Sequence, residues 1–411
     1  MKVKVLITIF SILIINELNA ATIWNKKEHF PATARHRTSG FSIGNIGYMG
    51  LGHYNSGPEG NVLLADFWAY DPSTDSWTQV ADFGGGQRYH CIDWVYENKA
   101  YVGTGRTPSA NLETDIWCFD PIANTWTFET DLPSFRRRGA VSFVIGDYGY
   151  IGCGQLQGAS SWYGNDFYAY HFPTGVWYAL PDLPGPQRTS SCAFVIDDKA
   201  YVGTGNTTSG AGLDFYEYKP STNSWTPKAN VGTIPRVEAY GFSLMGKGYI
   251  MCGASWSSGF NYSDMYEYDA TTDTWTQLPD FPGLGRRYLD GFEINNKAYM
   301  TCGTNGTNLK DMWEFNPTNA LTAGNFADFN IQTYPNPAID MVRFDFGNSG
   351  VENSWGAEIQ LYSMSGSIVL RHEILNSIEE VNLSNLETGT YIYSILGDGN
   401  NLTSGKIQIA R

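Results

Sequence analysis

The sequence has little charge for its length, and positive charge is the scarcer kind. Only 16% of its 411 residues are charged, and 26 Lys and Arg against 41 Asp and Glu give a net charge of −15. Because such a field repels polyphosphates, we expect no nucleic-acid partner. No internal apolar run approaches the roughly 20 residues of a membrane-spanning helix, so we expect no transmembrane segment. The six cysteines show neither Cys-x-x-Cys nor a Cys/His metal spacing, so we expect no metal and no cofactor.

Glycine and aromatic residues are abundant instead. The chain contains 45 Gly, 13 Trp, 26 Tyr and 22 Phe, and 42% of its residues are hydrophobic. This composition excludes disorder as the main state and favours short strands with tight turns over long helices. The sequence therefore predicts a β-rich protein.

The first twenty residues predict export. Lys2 and Lys4 precede an apolar run at residues 5–15, and small residues follow at 20–21. A basic start, a short apolar run and a small-residue end are typical of a secretory signal peptide, which we assign to residues 1–20.

A repeat of about 50 residues runs through most of the chain. Each arginine of the repeat follows a tryptophan by eleven residues, and it is followed by a tyrosine after thirteen residues and by a glycine four residues later. An Asp-x-aromatic-x-aromatic stretch comes next, at residues 66–70 in the first unit and 311–315 in the last. Cys153, Cys252 and Cys302 share one position of this repeat, so we expect buried thiols in different parts of the molecule rather than disulfides. The repeat arginines are Arg35, Arg88, Arg137, Arg188, Arg236 and Arg286.

Each unit contains four alternating strand-like runs. In the second unit they are residues 91–96, 100–103, 115–119 and 125–130, and a turn with Asp, Pro and Asn joins the last two. Four such strands form one blade of a β-propeller. The Arg, Tyr, second-glycine and Asp-Pro-to-Trp positions resemble the kelch family over roughly residues 22–318. The first of that family's paired glycines is replaced in every unit, so it is open whether one strand in each unit ends in the same tight turn. The replacements are Leu51, Thr104, Cys153, Thr204, Cys252 and Cys302.

The ends of the repeat predict how the ring closes. The sixth unit lacks its own tryptophan strand, whereas the chain begins with an unmatched one at residues 24–31. We expect this segment to become the outer strand of the last blade, which removes a sheet edge. The predicted fold is all-β: a six-bladed kelch-type propeller at residues 21–318, closed by the N-terminal strand and followed by a small antiparallel β-sandwich.

The C-terminal segment has a different pattern. A polar linker at residues 319–330 precedes Tyr-Pro-Asn-Pro-Ala at 334–338, and strand-like runs follow up to Ile409. Alternating faces predict a β-sandwich at residues 331–411. These residues resemble the C-terminal sorting domain of the type IX secretion system of Bacteroidota. The resemblance implies the secretion machinery as a partner and a secreted or outer-surface location; the alternative is a carbohydrate-binding sandwich.

One face of the propeller is predicted to carry the binding site. The segments that enter the blades share this face with the long loops at residues 53–65, 155–165 and 254–263. Arginine suits carboxylates and sulfates, and exposed aromatic rings suit sugars or proteins. The predicted ligand-binding residues are the repeat arginines Arg35, Arg88, Arg137, Arg188, Arg236 and Arg286, with Trp162, Tyr163, Trp256 and Tyr262. Arg37, Arg136, Arg138 and Arg287 lie beside the repeat arginines and add to a basic mouth.

Two questions stay open at this face. Each repeat arginine could instead pair with an acid five or six residues earlier, a scaffold role that its repetition in every blade favours; the candidate acids are Asp82, Asp131, Asp182 and Asp280. Glu238 and His90, two residues past repeat arginines, could face the channel as general acid and base, or be solvated or paired with arginine. The Gly-x-Ser-x-Gly at residues 40–44 lies in a strand and lacks the turn of a nucleophile elbow.

Two functions from different classes follow. The first is an exported, non-catalytic binding module that recognises a glycan or an envelope protein through the arginine and aromatic face. The second is an enzyme, because six-bladed kelch propellers include the N-acetylneuraminate mutarotases, and that resemblance implies an acidic-sugar mutarotase with Glu238 as acid/base. A copper radical oxidase of the kelch type is disfavoured, because the six histidines show no clustering.

Overall fold

The computed structural model describes residues 23–55, 60–255, 257–317, 331–347, 357–363, 368–397 and 400–411. Backbone contacts divide the chain into two compact units, Trp24–Asn316 and a unit that contains Pro317–Arg411. The predicted signal peptide, the predicted linker and Trp256 lie outside the described residues.

The first unit contains six four-stranded antiparallel sheets, which confirms the predicted propeller. In blades 1 to 5 the strands follow one another along the chain, and the first strands of neighbouring blades pack together around the axis. The strands of blade 1 are Ser39–Ile43, Ile46–Gly50, Phe67–Asp71 and Ser76–Val80, and those of blade 2 are Ile92–Tyr96, Lys99–Gly103, Asp115–Asp120 and Thr125–Asp131. The strands of blade 3 are Val141–Ile145, Tyr148–Gly152, Phe167–His171 and Val176–Leu180, and those of blade 4 are Cys192–Ile196, Lys199–Gly203, Phe215–Lys219 and Ser224–Lys228. The strands of blade 5 are Tyr240–Leu244, Lys247–Met251, Met265–Asp269 and Thr274–Leu278. A 3-10 turn, Pro220–Thr222, joins the last two strands of blade 4.

The sixth blade joins the two ends of the propeller. Its inner three strands are Asp290–Ile294, Lys297–Thr301 and Met312–Phe315, and its outer strand is Trp24–Lys27. Trp24 pairs with Phe315 in the ladder, and its ring centroid lies 5.0 Å from that of Phe315 and 5.3 Å from that of Phe281. The N-terminal strand therefore closes the ring, as predicted.

Small residues on the second strands let neighbouring blades pack closely. The residue before each repeat tyrosine is always Gly or Ala, in order Gly47, Ala100, Gly149, Ala200, Gly248 and Ala298. A Cβ on Gly47 would lie 2.1 Å from the Phe292 ring of blade 6, and one on Gly248 would lie 2.1 Å from the Phe194 ring of blade 4. These glycines are thus needed for inter-blade packing, and the aromatic rings they receive belong to the core.

Short paired strands lie on one face, in the loops between second and third strands and, for blades 3 and 4, also in the segments that enter the blades. They are His53–Asn55 with Asn61–Leu63, Arg136–Arg138 with Gln155–Gln157, and Arg188–Thr189 with Asn206–Thr207 and Gly210–Ala211. We call this side of the propeller the loop face.

The C-terminal unit is a β-sandwich, as predicted. One sheet has Gln332–Tyr334, Met341–Asp345 and Ile378–Asn382, and the other has Ile368–Glu373, Glu358–Tyr362, Gly389–Gly397 and Asn400–Ile409. Val342, Phe344, Ile359 and Ile407 are buried between the sheets. Arg411 donates hydrogen bonds to the carbonyl oxygens of Ile339, Leu383 and Leu386, which fixes its side chain against the sandwich.

Candidate functional site

The six repeat arginines are buried inside the blades. None is more than 4% exposed, and each guanidinium donates two hydrogen bonds to one aspartate at the start of the third strand; Arg236 contacts Asp264 at 2.8 and 2.7 Å. The pairs are Arg35–Asp66, Arg88–Asp115, Arg137–Asp166, Arg188–Asp214, Arg236–Asp264 and Arg286–Asp311. This geometry favours the scaffold role for the six repeat arginines.

The partners of these arginines are not the acids expected from nearness in sequence. Asp82, Asp131, Asp182 and Asp280 are not the paired residues; the partners come from the Asp-x-aromatic-x-aromatic stretches, 25 to 31 residues after the arginines. The reason is topological, because the third strand begins on the loop face where the arginine enters. Burial alone would raise the pKa of Asp66 and Asp115, but the hydrogen bonds and charge of the arginine, together with a hydrogen bond from Trp68 or Trp117, outweigh it, and the pKa of both carboxyls is lowered.

The same arginines hold the residues that replace the first kelch glycine. These residues keep a left-handed backbone with φ between 58° and 63°; they are Leu51, Thr104, Cys153, Thr204, Cys252 and Cys302. In every unit the arginine Nη1 donates to the carbonyl oxygen of this residue, over 2.9 to 3.2 Å. A left-handed residue with a side chain costs roughly 1–2 kcal/mol, so the buried pair imposes a turn that glycine would adopt freely.

A closed ring of backbone hydrogen bonds surrounds the channel. The second residue after each repeat arginine has a positive φ, and its N–H donates to the carbonyl oxygen of the equivalent residue in the preceding blade, over 2.9 to 3.3 Å. The six residues are Arg37, His90, Gly139, Ser190, Glu238 and Tyr288. All six line a channel cavity of about 200 Å³.

Tyr89 lies at the centre of a group of arginines on the loop face. Its hydroxyl accepts hydrogen bonds from Arg106 Nη1, at 2.9 Å, and from Arg138 Nη1. The guanidinium carbons of Arg37, Arg106 and Arg138 lie 5.6, 6.0 and 5.3 Å from the Tyr89 ring centroid. Within the described chain, no carboxylate forms an ion pair with any of these three arginines. We call Tyr89, Arg37, Arg106 and Arg138 the arginine cluster.

Two neighbouring histidines carry no charge and so add none to the cluster. Arg37 Nη1 lies 3.3 Å from His36 Nδ1 and 3.1 Å from His53 Nε2. Because a guanidinium only donates, both ring nitrogens must accept. Burial, followed by the charge of Arg37, lowers the pKa of His36 to about 2 and that of His53 to about 3. The positive charge of the site therefore comes from arginine and does not change near neutral pH.

Glu238 places a carboxyl group in the channel ring. The Tyr288 hydroxyl donates to its Oε1, whereas Arg287 Nε lies 3.3 Å from Oε2 without hydrogen-bonding geometry, which leaves Oε2 buried without a donor. Burial raises the pKa of Glu238 to about 7 against the attraction of Arg37 and Arg287. Burial also lowers the pKa of His90 well below its usual value. The structure thus brings the two predicted acid/base candidates, Glu238 and His90, to the same cavity.

Acids also occur among the inner strands that line the channel. Burial raises the pKa of Asp93 and of Glu293 to about 7, and the Tyr240 hydroxyl donates to Glu293 at 3.1 Å. Among the residues that the structure describes, no group of three or more His, Cys, Asp or Glu side chains is arranged to hold a metal ion.

A cleft of about 600 Å³ opens beside the arginine cluster, between loops of blades 2 and 3. Its lining includes Arg106, Arg138, Gln155 and Trp162. Trp162 is 74% exposed, and the Gln155 side-chain oxygen accepts a hydrogen bond from Arg138 Nε at 2.8 Å. Alanine, leucine, glycine, serine and glutamine complete the lining, which contains no aspartate or glutamate among the described residues. Charged donors, small polar groups and an open aromatic ring suit a polar, anionic ligand. We call this space the Trp162 cleft.

Of the four predicted aromatic residues, Trp162 is the one that the described structure shows exposed beside a cleft. Tyr163 is half-buried, and its hydroxyl accepts a hydrogen bond from Asn206 Nδ2 at 2.9 Å. Tyr262 is also half-buried, with the Arg236 guanidinium 5.2 Å from its ring centroid. Trp256 lies outside the described residues.

Sequence reasoning missed Tyr89 and Arg106. Each follows a constant residue of the repeat directly, Tyr89 after Arg88 and Arg106 after Gly105, and the two pair with each other on the loop face. The equivalents of Tyr89 in the other units are His36, Arg138, Thr189, Val237 and Arg287. The signal that could have identified them is a position that differs between the repeat units and lies next to one that is the same in every unit.

The six cysteines are free thiols in the structure. All six lack a disulfide partner, and all but Cys91 are buried. Burial raises the pKa of Cys153, Cys252 and Cys302 to about 12, so these thiols are protonated and unreactive at neutral pH.

Comparisons with known proteins support the two-part architecture. Residues 332–410 match the secretion system C-terminal sorting domain, and residues 52–84 match the kelch motif. The chain is therefore a kelch-type propeller followed by a type IX sorting domain, as the sequence predicted. In the described ranges no helix has both the length and the apolar content to cross a membrane. A search of curated proteins finds no match.

The solved structure of the protein YjhT is similar to this propeller. It shares 15% sequence identity with this chain at a TM-score of 0.60, and the alignment covers 71% of this chain and 96% of that one. At this identity the likeness concerns the fold alone. Because 517 solved chains match, the fold does not select a function, and the site has to be argued from its own residues.

Proposed function

We propose that the protein is an exported binding module that recognises an acidic glycan through the arginine cluster and the Trp162 cleft. The observation that carries the proposal is that Arg37, Arg106 and Arg138 are grouped with no carboxylate within ion-pairing distance, in the described part of a chain whose net charge is −15. Partly buried cations are costly without a counter-charge. A ligand carboxylate or sulfate would supply that charge and fits adjacent guanidinium groups.

The rest of the cleft supports a sugar rather than a simple anion. Trp162 offers an exposed ring on which the apolar face of a sugar can pack. Gln155 and Gln157 contribute amide groups, and Ser160 and Ser161 contribute hydroxyl groups, all of which can bond sugar hydroxyls. The sorting domain supports a secreted or outer-surface location, where extracellular polysaccharide is accessible.

A glycan array with the exported chain tests the proposal. We expect binding to sialylated, uronic or sulfated glycans, and at least a tenfold loss of affinity in Arg106→Gln and in Arg138→Gln. Lys99→Gln is the matched control, because it removes the same charge from an exposed residue outside the cleft. Binding confined to neutral glycans would contradict the proposal, and binding to no glycan would favour an envelope protein as the partner.

Glu238 favours one second candidate, an acidic-sugar mutarotase. A carboxyl group with a pKa of about 7 and one oxygen without a donor, in the channel cavity, is suited to exchange a proton with a sugar. NMR saturation transfer between the anomers of N-acetylneuraminate tests it. If the protein is a mutarotase, we expect wild type to exchange the anomers and Glu238→Gln to abolish this exchange while it retains the fold. Absence of exchange in the wild type would contradict the mutarotase and favour the binding module.

A further inference from the structure

A second cleft, of about 550 Å³, adjoins the Trp162 cleft. Its lining includes Thr114, Ser134, Phe135 and Arg136. The two clefts share Gln157 and Gly158 in their linings, so one short loop segment lies between them. We call the second space the Phe135 cleft.

One pair of short strands runs from the Trp162 cleft to the Phe135 cleft. Arg136–Arg138 pairs with Gln155–Gln157, with Arg138 opposite Gln155 and Arg136 opposite Gln157. Side chains alternate along a strand, so Arg136 and Arg138 share one face while Arg137 enters the blade. Arg138 bonds Tyr89 at the arginine cluster, whereas Arg136 is roughly 7 Å further along at the Phe135 cleft.

The two clefts have the same kind of lining. Neither includes an aspartate or a glutamate among the described residues, and each has an exposed aromatic ring, Trp162 at 74% and Phe135 at 47%. Arg136 donates to Glu113 at 2.9 Å and is therefore partly neutralised. The Phe135 cleft is expected to bind a sugar ring by packing more than by charge.

We infer that the two clefts form one groove and that the ligand is an acidic oligosaccharide that occupies both at once. One unit places its carboxylate at Arg106 and Arg138 against Trp162, and a following unit crosses Gln157 and Gly158 to pack on Phe135. This inference rests on the proposed function and extends it from an acidic sugar to a chain of linked acidic sugars.

Titration with ligands of defined length tests the groove. The full exported chain is titrated calorimetrically with oligogalacturonates and with α2,8-linked sialic acid oligomers, each from one to four units. We expect the affinity in at least one series to rise tenfold or more between one and three units. Phe135→Ala should weaken binding of three units about fivefold and leave binding of one unit unchanged. Phe128→Ala is the matched control, because Phe128 is 53% exposed on the outer strand of blade 2 and lines neither cleft.

The outcomes separate this inference from the proposed function. Equal affinity for one and four units in both series, or a Phe135→Ala chain that binds four units like wild type, would refute the groove while the acidic-sugar site stands. If neither series binds, and Arg138→Gln also has no effect on the glycan array, the proposed function fails and the groove fails with it.

Discussion

Arginine has two roles in this chain, and adjacent residues show both. Arg137 is fully buried and bonded to Asp166, so its charge is balanced inside blade 3. Arg138 is only half-buried, bonds Tyr89 and Gln155, and has no carboxylate partner in the described chain. Because side chains alternate along a strand, the Arg137 side chain enters the blade as part of the scaffold, whereas the Arg138 side chain lies at the proposed site.

Loss of a scaffold arginine is expected to destabilise the fold. Arg188→Leu leaves the Asp214 carboxylate without its partner, which we expect to lower the free energy of unfolding by about 3–5 kcal/mol. Urea unfolding measures this, and adding Asp214→Asn should restore part of the loss. Arg138→Gln is the control and should change stability by about 1 kcal/mol or less. Equal effects of Arg188→Leu and Arg138→Gln would contradict the division of roles.

Glu238 is expected to make stability depend on pH. Burial raises its pKa from 4.5 to about 7, so the folded state holds the proton more tightly than the unfolded state. This contribution to stability is fully present below pH 4.5 and is lost as the pH rises to about 7, by an amount on the order of 3 kcal/mol. Because Gln does not ionise, Glu238→Gln should gain stability relative to wild type between pH 4.5 and 8. Parallel pH profiles for the two proteins would show that Glu238 ionises normally.

At the scale of the strand and the blade, closure of the propeller ring depends on two different sets of backbone contacts. The outer strand Trp24–Lys27 joins the ends of the propeller, and the six backbone hydrogen bonds around the channel join every blade to the next. The contact of the outer strand with the last blade includes side-chain packing as well as backbone pairing, because the Trp24 ring packs on Phe281 and Phe315.

Removing the Trp24 ring should weaken closure. Trp24 is 8% exposed, so we expect Trp24→Ala to lower the free energy of unfolding by about 3–5 kcal/mol. Trp162→Ala is a matched control, since that ring is 74% exposed and its loss should affect binding rather than stability. Thermal unfolding of both variants checks this, and a Trp24→Ala chain as stable as Trp162→Ala would contradict the closure.

The blades could be predicted from the sequence, whereas most of the site could not. Constant offsets and alternating runs identify strands because both depend on local periodicity, and the first strand of blade 2 begins at Ile92 where the pattern placed it at residue 91. The arginine partners depend on which strand ends meet in space. The Asp115 that pairs with Arg88 is 27 residues away, and Tyr89 gains its role only from Arg106 and Arg138 across two loops.

At the scale of the whole molecule, the chain combines an acidic body with a local basic site. The net charge of −15 opposes the approach of acidic polymers at low salt, so binding has to come from close contacts at the arginine cluster. The sorting domain at residues 332–410 adds the route by which the propeller leaves the cell.

The C-terminal unit should be sufficient and necessary for passage across the outer membrane. In a host with a type IX system, deletion of residues 331–411 should retain the propeller in the periplasm, detected by cell fractionation. A reporter with residues 1–22 at its start and 331–411 at its end should reach the surface or the medium. Export of the deleted chain, or periplasmic retention of the reporter, would contradict this role.

The most direct test of anion recognition by the arginine cluster is to compare one ligand with and without its negative charge. The exported chain is titrated with the acidic oligosaccharide that binds best on the array and with the methyl ester of the same oligosaccharide, for wild type and Arg138→Gln. We expect wild type to bind the acid at least tenfold more tightly than the ester, and Arg138→Gln to remove this difference. Equal affinity of wild type for acid and ester would show that the arginine cluster does not recognise an anion.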